Sequence, residues 1–136
     1  MSKGPTKESL AEKTRIYIDA HPSIKDCVSK GLINYSSLAR MIMKEEKLVE
    51  NSANIGAYLK GEISKIDSPE ITEVRGYGLI IGIEMKSKAA DFQKFCRDNG
   101  VLVNVCHGNV VRLIPPLIIG KEEADRFVGL LKQFLI

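Results

Sequence analysis

The residues that could do chemistry are few and scattered. Gly76-Tyr77-Gly78-Leu79-Ile80-Ile81-Gly82 comes near the G-x-G-x-x-G dinucleotide fingerprint but carries one residue too many before the third glycine. That fingerprint needs a helix to open at the glycines, whereas Ile80 to Met85 continues as a β-branched run, so the glycines read as those of a bent strand. Cys96, Cys106 and His107 could supply three zinc ligands, yet no fourth lies nearby and the spacing fits no compact zinc module. No metal site is predicted. Cys106 and His107 also fail as a nucleophile and its base, because neighbours on a strand point to opposite faces. Glu122-Glu123 falls in the first turn of a predicted helix, where acids complement the dipole. Arg112 is different: it sets a permanent cation inside the apolar run Val110-Val111-Arg112-Leu113-Ile114. Alternation leaves it on a solvent face, while its planar fork could also clamp a carboxylate through two parallel hydrogen bonds. Both readings stay open on spacing alone.

The elements that must position these residues change grammar near Asp67-Ser68-Pro69. Before that point the periodicity is helical. Gly4 and Pro5 predict a frayed start over the first eight residues, and one helix runs from Ser9 to about Ala20. His21-Pro22 stops it, and Ser23-Ile24-Lys25-Asp26 has the form of a capping box for a second helix that exits at Gly31. Asn34 or Ser36 caps a third, through SSLARMIMKEEKL, and a fourth covers about Ser52 to Lys65. Periodicity does not decide whether the last two form one rod. Beyond Pro69, residues 73–85 read as one strand or two halves with a bend, followed by a helix over 89–98. Strands at 101–105 and 110–114 flank a His107-Gly108-Asn109 turn, and a last helix runs from Lys121 to about Leu135. The expected fold is α+β: N-terminal helices, then a small antiparallel or mixed three-stranded sheet covered by two helices.

At 136 residues and 15.1 kDa the chain can bury a core without disulfides or metal. Its 44% hydrophobic and 27% charged residues argue against global disorder. Three widely spaced cysteines without a C-x-x-C pair speak against a redox motif. No apolar run approaches the roughly 18 residues of a membrane span, and MSKGPTKESLAEK lacks the apolar core of a secretory signal. A soluble cytoplasmic protein without a membrane partner is the expectation. The +3 net charge is unevenly distributed: residues 1–48 hold nine Lys and Arg against six Asp and Glu, and residues 49–136 hold eleven of each.

Three segments, EEKLVENSANIGAYL, EITEVRGYGLIIGIEM and NGVLVNVCHGNVVRLIPPLIIGKEEADRFVGLLKQFL, occur in this order from about Glu45 to Ile136. Together they resemble the C-terminal small domain of class III pyridoxal-phosphate aminotransferases of the acetylornithine and acetyl-lysine type. The resemblance implies that Arg112 reaches towards a substrate carboxylate, with His107, Gly108 and Asn109 in the adjoining turn. It also implies that the Schiff-base lysine, the aspartate under the pyridinium nitrogen and the phosphate-cradling loop belong to a large domain with no counterpart here. No catalytic residue is therefore assigned, pyridoxal phosphate is not expected to bind this chain alone, and no aminotransferase activity is predicted from it.

The first forty-odd residues are similar instead to the helical segment of small archaeal regulatory proteins, in which a helix-turn-helix-like unit precedes a ligand-binding domain. Two domains follow: a helical one over 1–45, helix-turn-helix-like when continued to 65, and an aminotransferase-like unit over 46–136. In that reading Asn51, Asn54, Lys60 and Lys65 face DNA, although Glu50 and Glu62 oppose phosphate; the alternative is a helical bundle packed on the sheet. A junction within a helix at Met43 to Glu46 fits a natural fusion, a remnant or a recombinant. The leading expectation is a non-enzymatic chimera that self-associates as a homodimer. The alternatives are a DNA-binding regulator whose α/β unit dimerises or senses a carboxylate through Arg112, and a fragment that complements a separate large domain.

Overall fold

The computed structural model describes residues 8–136. The frayed start expected from Gly4 and Pro5 lies outside them. The described residues form two compact units, residues 8–51 with 116–118, and residues 52–115 with 119–136.

The first unit is helical. Helix α1 (Leu10–Ala20) begins where Ser9 Oγ accepts the Glu12 N–H at 3.2 Å. Helix α2 spans Pro22–Ser29 with His21 as its cap residue. The capping box expected from Ser23 and Asp26 does not form. Proline at the first helical position, where its missing N–H costs nothing, draws the start back and leaves Ser23 inside the first turn. Gly31 provides the expected left-handed exit at φ 70°. Helix α3 (Tyr35–Glu45) is capped by Asn34, whose Oδ1 accepts the Ser36 N–H at 2.8 Å. It ends at Glu45, short of the expected Leu48, because Lys47 adopts φ 51°. The third and fourth helices are therefore two rods. Helix α4 (Leu48–Ser64) starts four residues before the expected Ser52 and passes from the first unit into the second. Among the described residues, Thr14, Leu38, Ile42 and Leu48 are the buried side chains of the first unit.

The second unit carries the sheet. Strands β1 (Ile71–Tyr77), β2 (Ile80–Met85), β3 (Asn104–Cys106) and β4 (Val110–Leu113) pair antiparallel in the order β1-β2-β4-β3. The class is α+β as expected, but the sheet has four strands rather than three. The run read as one bent strand is a hairpin in which Tyr77 pairs with Ile80 across Gly78-Leu79. Gly78 takes φ 53°, and a Cβ on Gly76 would lie 2.1 Å from the Ile80 carbonyl oxygen, so this fold-back requires glycine. The third strand is shorter than the expected 101–105, and Val101 to Val103 stay outside the ladder.

Helices α5 (Ala89–Asp98) and α6 (Lys121–Leu135) bury Phe92, Cys96, Phe127, Val128 and Leu131 in one cluster with Ile81, Ile83, Met85, Val111 and Leu113 of the sheet. Leu59 and Ile63 of α4 join the cluster, so three helices rather than two contribute to it. Glu70 ties the start of β1 to α5: its carboxylate accepts the N–H groups of Ser87 at 2.7 Å and Lys88 at 2.6 Å. These bonds hold the Glu70 carboxyl below the usual range and satisfy donors that no local side chain caps. At α6, Glu123 accepts the Gly120 N–H at 2.8 Å, half of a capping box that glycine has no side chain to complete.

Candidate functional site

Alternation along β4 buries Val111 and Leu113 and leaves Arg112 exposed on the side of the sheet away from the core cluster. The register sets Arg112 between Gly82 on β2 and Asn104 on β3, with Arg75 of β1 opposite Gly82. Directly opposite side chains share a face, so one row runs Arg75, Gly82, Arg112, Asn104 across all four strands. Its two cations differ. Arg75 Nη1 donates to Glu73 Oε2 at 2.6 Å and Glu84 Oε2 at 2.8 Å, and hydrogen bonding to Glu84 raises its already high pKa. Among the described residues, the Arg112 guanidinium has no hydrogen-bond or ion-pair partner. It borders a shallow hollow of about 250 Å³ with Leu102, Val103, Asn104 and Ile114.

The other expected residues fall elsewhere. His107 and Gly108, at φ 53° and 80°, make the β3–β4 turn, and the Asn109 carbonyl accepts the Met85 N–H at 2.8 Å. None of the three lines the hollow, which opens towards Leu102 and Ile114 at the other end of the strands. On α4, Lys60 Nζ donates to the Gly76 carbonyl at 2.8 Å, and Lys65, just past the helix end, donates Nζ to Glu62 Oε1 at 2.5 Å. Asn51 Nδ2 donates to the Leu117 carbonyl at 2.7 Å, while Asn54 is exposed.

The glycine-rich motif has a packing role. A Cβ on Gly56 of α4 would sit 2.0 Å from the Gly78 carbonyl oxygen, and Ser52 Oγ accepts the Leu79 N–H at 3.3 Å. The hairpin turn thus rests on the bare backbone of α4. Burial pushes the Cys96 thiol up to about 11, which keeps it protonated and unsuited to bind metal or attack. Among the described residues no three His, Cys, Asp or Glu side chains gather as a metal site needs. No helix among them is long and apolar enough to cross a membrane.

Sequence reasoning missed Asn104. Its signal was the turn itself, because counting outward from Gly108 places Asn104 and Arg112 at equal distances and hence opposite each other.

Residues 32–135 match the family model described as aminotransferase class-III. The chain belongs to the class III aminotransferase family. This family segment opens at Leu32, so it takes in α3, and the junction expected at Met43 to Glu46 falls inside it. The chain is 47% identical over 91 residues to the acetylornithine aminotransferase of Methanosarcina mazei, covering 67% of this chain and 23% of that protein. It is 40% identical over 94 residues to the ornithine aminotransferase of Bacillus subtilis, covering 69% and 23%. The crystal structure of acetylornithine aminotransferase from Elizabethkingia anophelis superposes with a TM-score of 0.69 at 30% identity, over 74% of this chain and 28% of that one. The chain thus spans about a quarter of the length of the curated relatives it matches.

Class III aminotransferases imply pyridoxal phosphate, and the described residues do not fit that cofactor. Thr14 is their one buried polar or charged residue, so no lysine is desolvated for Schiff-base chemistry and no buried acid awaits a pyridinium nitrogen.

Proposed function

We propose that the α/β unit works as the small domain of a class III aminotransferase, presenting Arg112 to a substrate carboxylate, and carries out no transamination by itself. Polypeptide outside these 136 residues supplies the cofactor chemistry. The observation that carries this reading is the Arg112 guanidinium, without a partner among the described residues, on a face where Arg75 is ion-paired with Glu73 and Glu84. An exposed, uncompensated fork suits a carboxylate that arrives with the substrate. The relatives' names point to ornithine-type amino acids as its source.

Co-expression with a Methanosarcina mazei acetylornithine aminotransferase truncated before its matched region tests the reading. Wild-type chain should restore pyridoxal-phosphate-dependent activity, and Arg112→Ala should lose at least tenfold of it, the scale of a charge-assisted pair. Turnover by this chain alone, or equal rescue by Arg112→Ala, would overturn it.

A second reading is a non-enzymatic homodimer formed through the same open face. Tyr77 is 92% exposed and pairs with Ile80, itself 60% exposed, which leaves an apolar edge for a partner to cover. Light scattering should then give twice the monomer mass, and Tyr77→Arg should return it to one. A wild-type monomer at high concentration removes this reading. DNA recognition by α4 has less support, since Lys60 and Lys65 already donate to Gly76 and Glu62.

A further inference from the structure

We propose that Asn104 is a ligand-binding residue of the Arg112 site, and that it reads an N–H group placed next to the bound carboxylate. The inference rests on the Arg112 reading above and names the ligand class: short N-acyl-amino or α-amino carboxylates.

The register fixes the geometry. Asn104 and Arg112 are direct partners on β3 and β4, and both are exposed. Their Cβ atoms are therefore about 4.5–5.5 Å apart on one face, close enough for both side chains to meet one small group. Both border the same hollow. Neither side chain has a hydrogen-bond partner among the described residues, so neither must break a bond to receive a ligand.

The two side chains offer different chemistry. Arginine has five N–H donors and no acceptor, whereas asparagine has two donors and one carbonyl acceptor. A carboxylate can take the guanidinium fork on one side and the Asn104 NH₂ on the other. The Asn104 carbonyl then remains for a donor, which a carboxylate cannot supply but a neighbouring amide or amine can. A ligand with methylene at that point leaves the carbonyl unmatched.

The walls complete the description. Leu102 and Ile114, 86% and 60% exposed, face the ligand's carbon skeleton. A volume of about 250 Å³ is below the roughly 300–1,000 Å³ of pockets that enclose a whole ligand. The hollow thus takes the carboxylate end and its first substituent, with binding in about the millimolar range.

N-acetylglycine and 4-oxopentanoate test this, because they differ only in N–H against CH₂ beside the same carboxylate-bearing chain. Each would be titrated into the full chain while the backbone amide resonances of Asn104, Val105, Val111 and Arg112 are followed. Wild type should bind N-acetylglycine about fivefold more tightly, the value of one net hydrogen bond. Asn104→Leu should erase that preference, and Arg112→Ala should weaken both ligands at least tenfold. A preference that survives in Asn104→Leu while Arg112→Ala fails would overturn the role of Asn104 and leave Arg112 standing. Wild-type affinity in Arg112→Ala would overturn the underlying clamp as well. No saturable shift in wild type would overturn the ligand site on this chain and leave the co-expression result to judge the small-domain reading.

Discussion

The two compact units differ in how their helices find something to bury against. In the α/β unit, α4, α5 and α6 share one cluster with the sheet, and Ile63, Ile81, Ile83, Met85, Phe92, Cys96, Val111 and Leu131 are all 0% exposed. In the helical unit, Leu38, Ile42 and Leu48 are 4–6% exposed and Thr14 fills the remaining buried place, its hydroxyl donating to the Leu10 carbonyl at 2.7 Å. Short helices without a sheet offer one stripe each, so their shared interior stays small. The helical unit adds local devices, namely the Ser9 and Asn34 caps and Pro22 at a helix start, and one partly exposed ion pair between α1 and the end of α3, Lys13–Glu46 at 2.6 Å. A sheet lets distant segments share one interior, whereas caps and ion pairs hold a helical segment together piece by piece.

Deleting core volume sharpens this contrast most. Phe92→Ala should cost about 3–5 kcal/mol in urea unfolding, because Phe127 and Phe134 pack their rings at 5.9 and 5.1 Å and a cavity would open beneath them. Leu38→Ala should cost about 2 kcal/mol, at the low end for such truncations. Equal losses would break the comparison. Gly56→Ala comes next, at about 1–3 kcal/mol, since its methyl must displace the Gly78 carbonyl, which is backbone rather than a yielding side chain. A neutral result in thermal unfolding would show that the hairpin does not rest on α4.

The smallest effect is a pH dependence confined to the α/β unit. Tyr58 donates to Asp125 Oδ1 at 2.5 Å, and this bond, with desolvation behind it, pushes the phenol from 10.0 up to about 12. A folded-state pKa above the unfolded one stabilises fully below pH 10.0, and that stability fades as pH rises towards about 12. The urea midpoint of wild type should fall across that window more steeply than that of Tyr58→Phe. Parallel curves would show that the Tyr58–Asp125 bond contributes nothing.

What could be read from the chain follows the range of each interaction. The stripe of Leu38 and Ile42, the exit at Gly31, the cap at Asn34 and the alternation around Arg112 depend on residues within one turn or one strand. The capping box at Ser23 was misread for a local reason, since Pro22 outcompetes it by favouring the first helical position. The hairpin hidden in residues 73–85 was misread for a distant one. Gly76-Tyr77-Gly78 allows a bend or a full reversal equally well, and the close seat offered by Gly56, some twenty residues earlier, favours the reversal.

The sequence by itself determined the helical stripes, the family segments and the exposure of Arg112, because covalent geometry fixes the 3.6- and 2-residue periods within each element. Tertiary structure decided the neighbours. It paired Asn104 with Arg112, set Gly82 beside them, drew Lys60 to the Gly76 carbonyl and left Arg112 without a partner among the described residues. Those choices belong to register and long-range closure, which no stretch of chain contains until its partner strand or helix has packed against it.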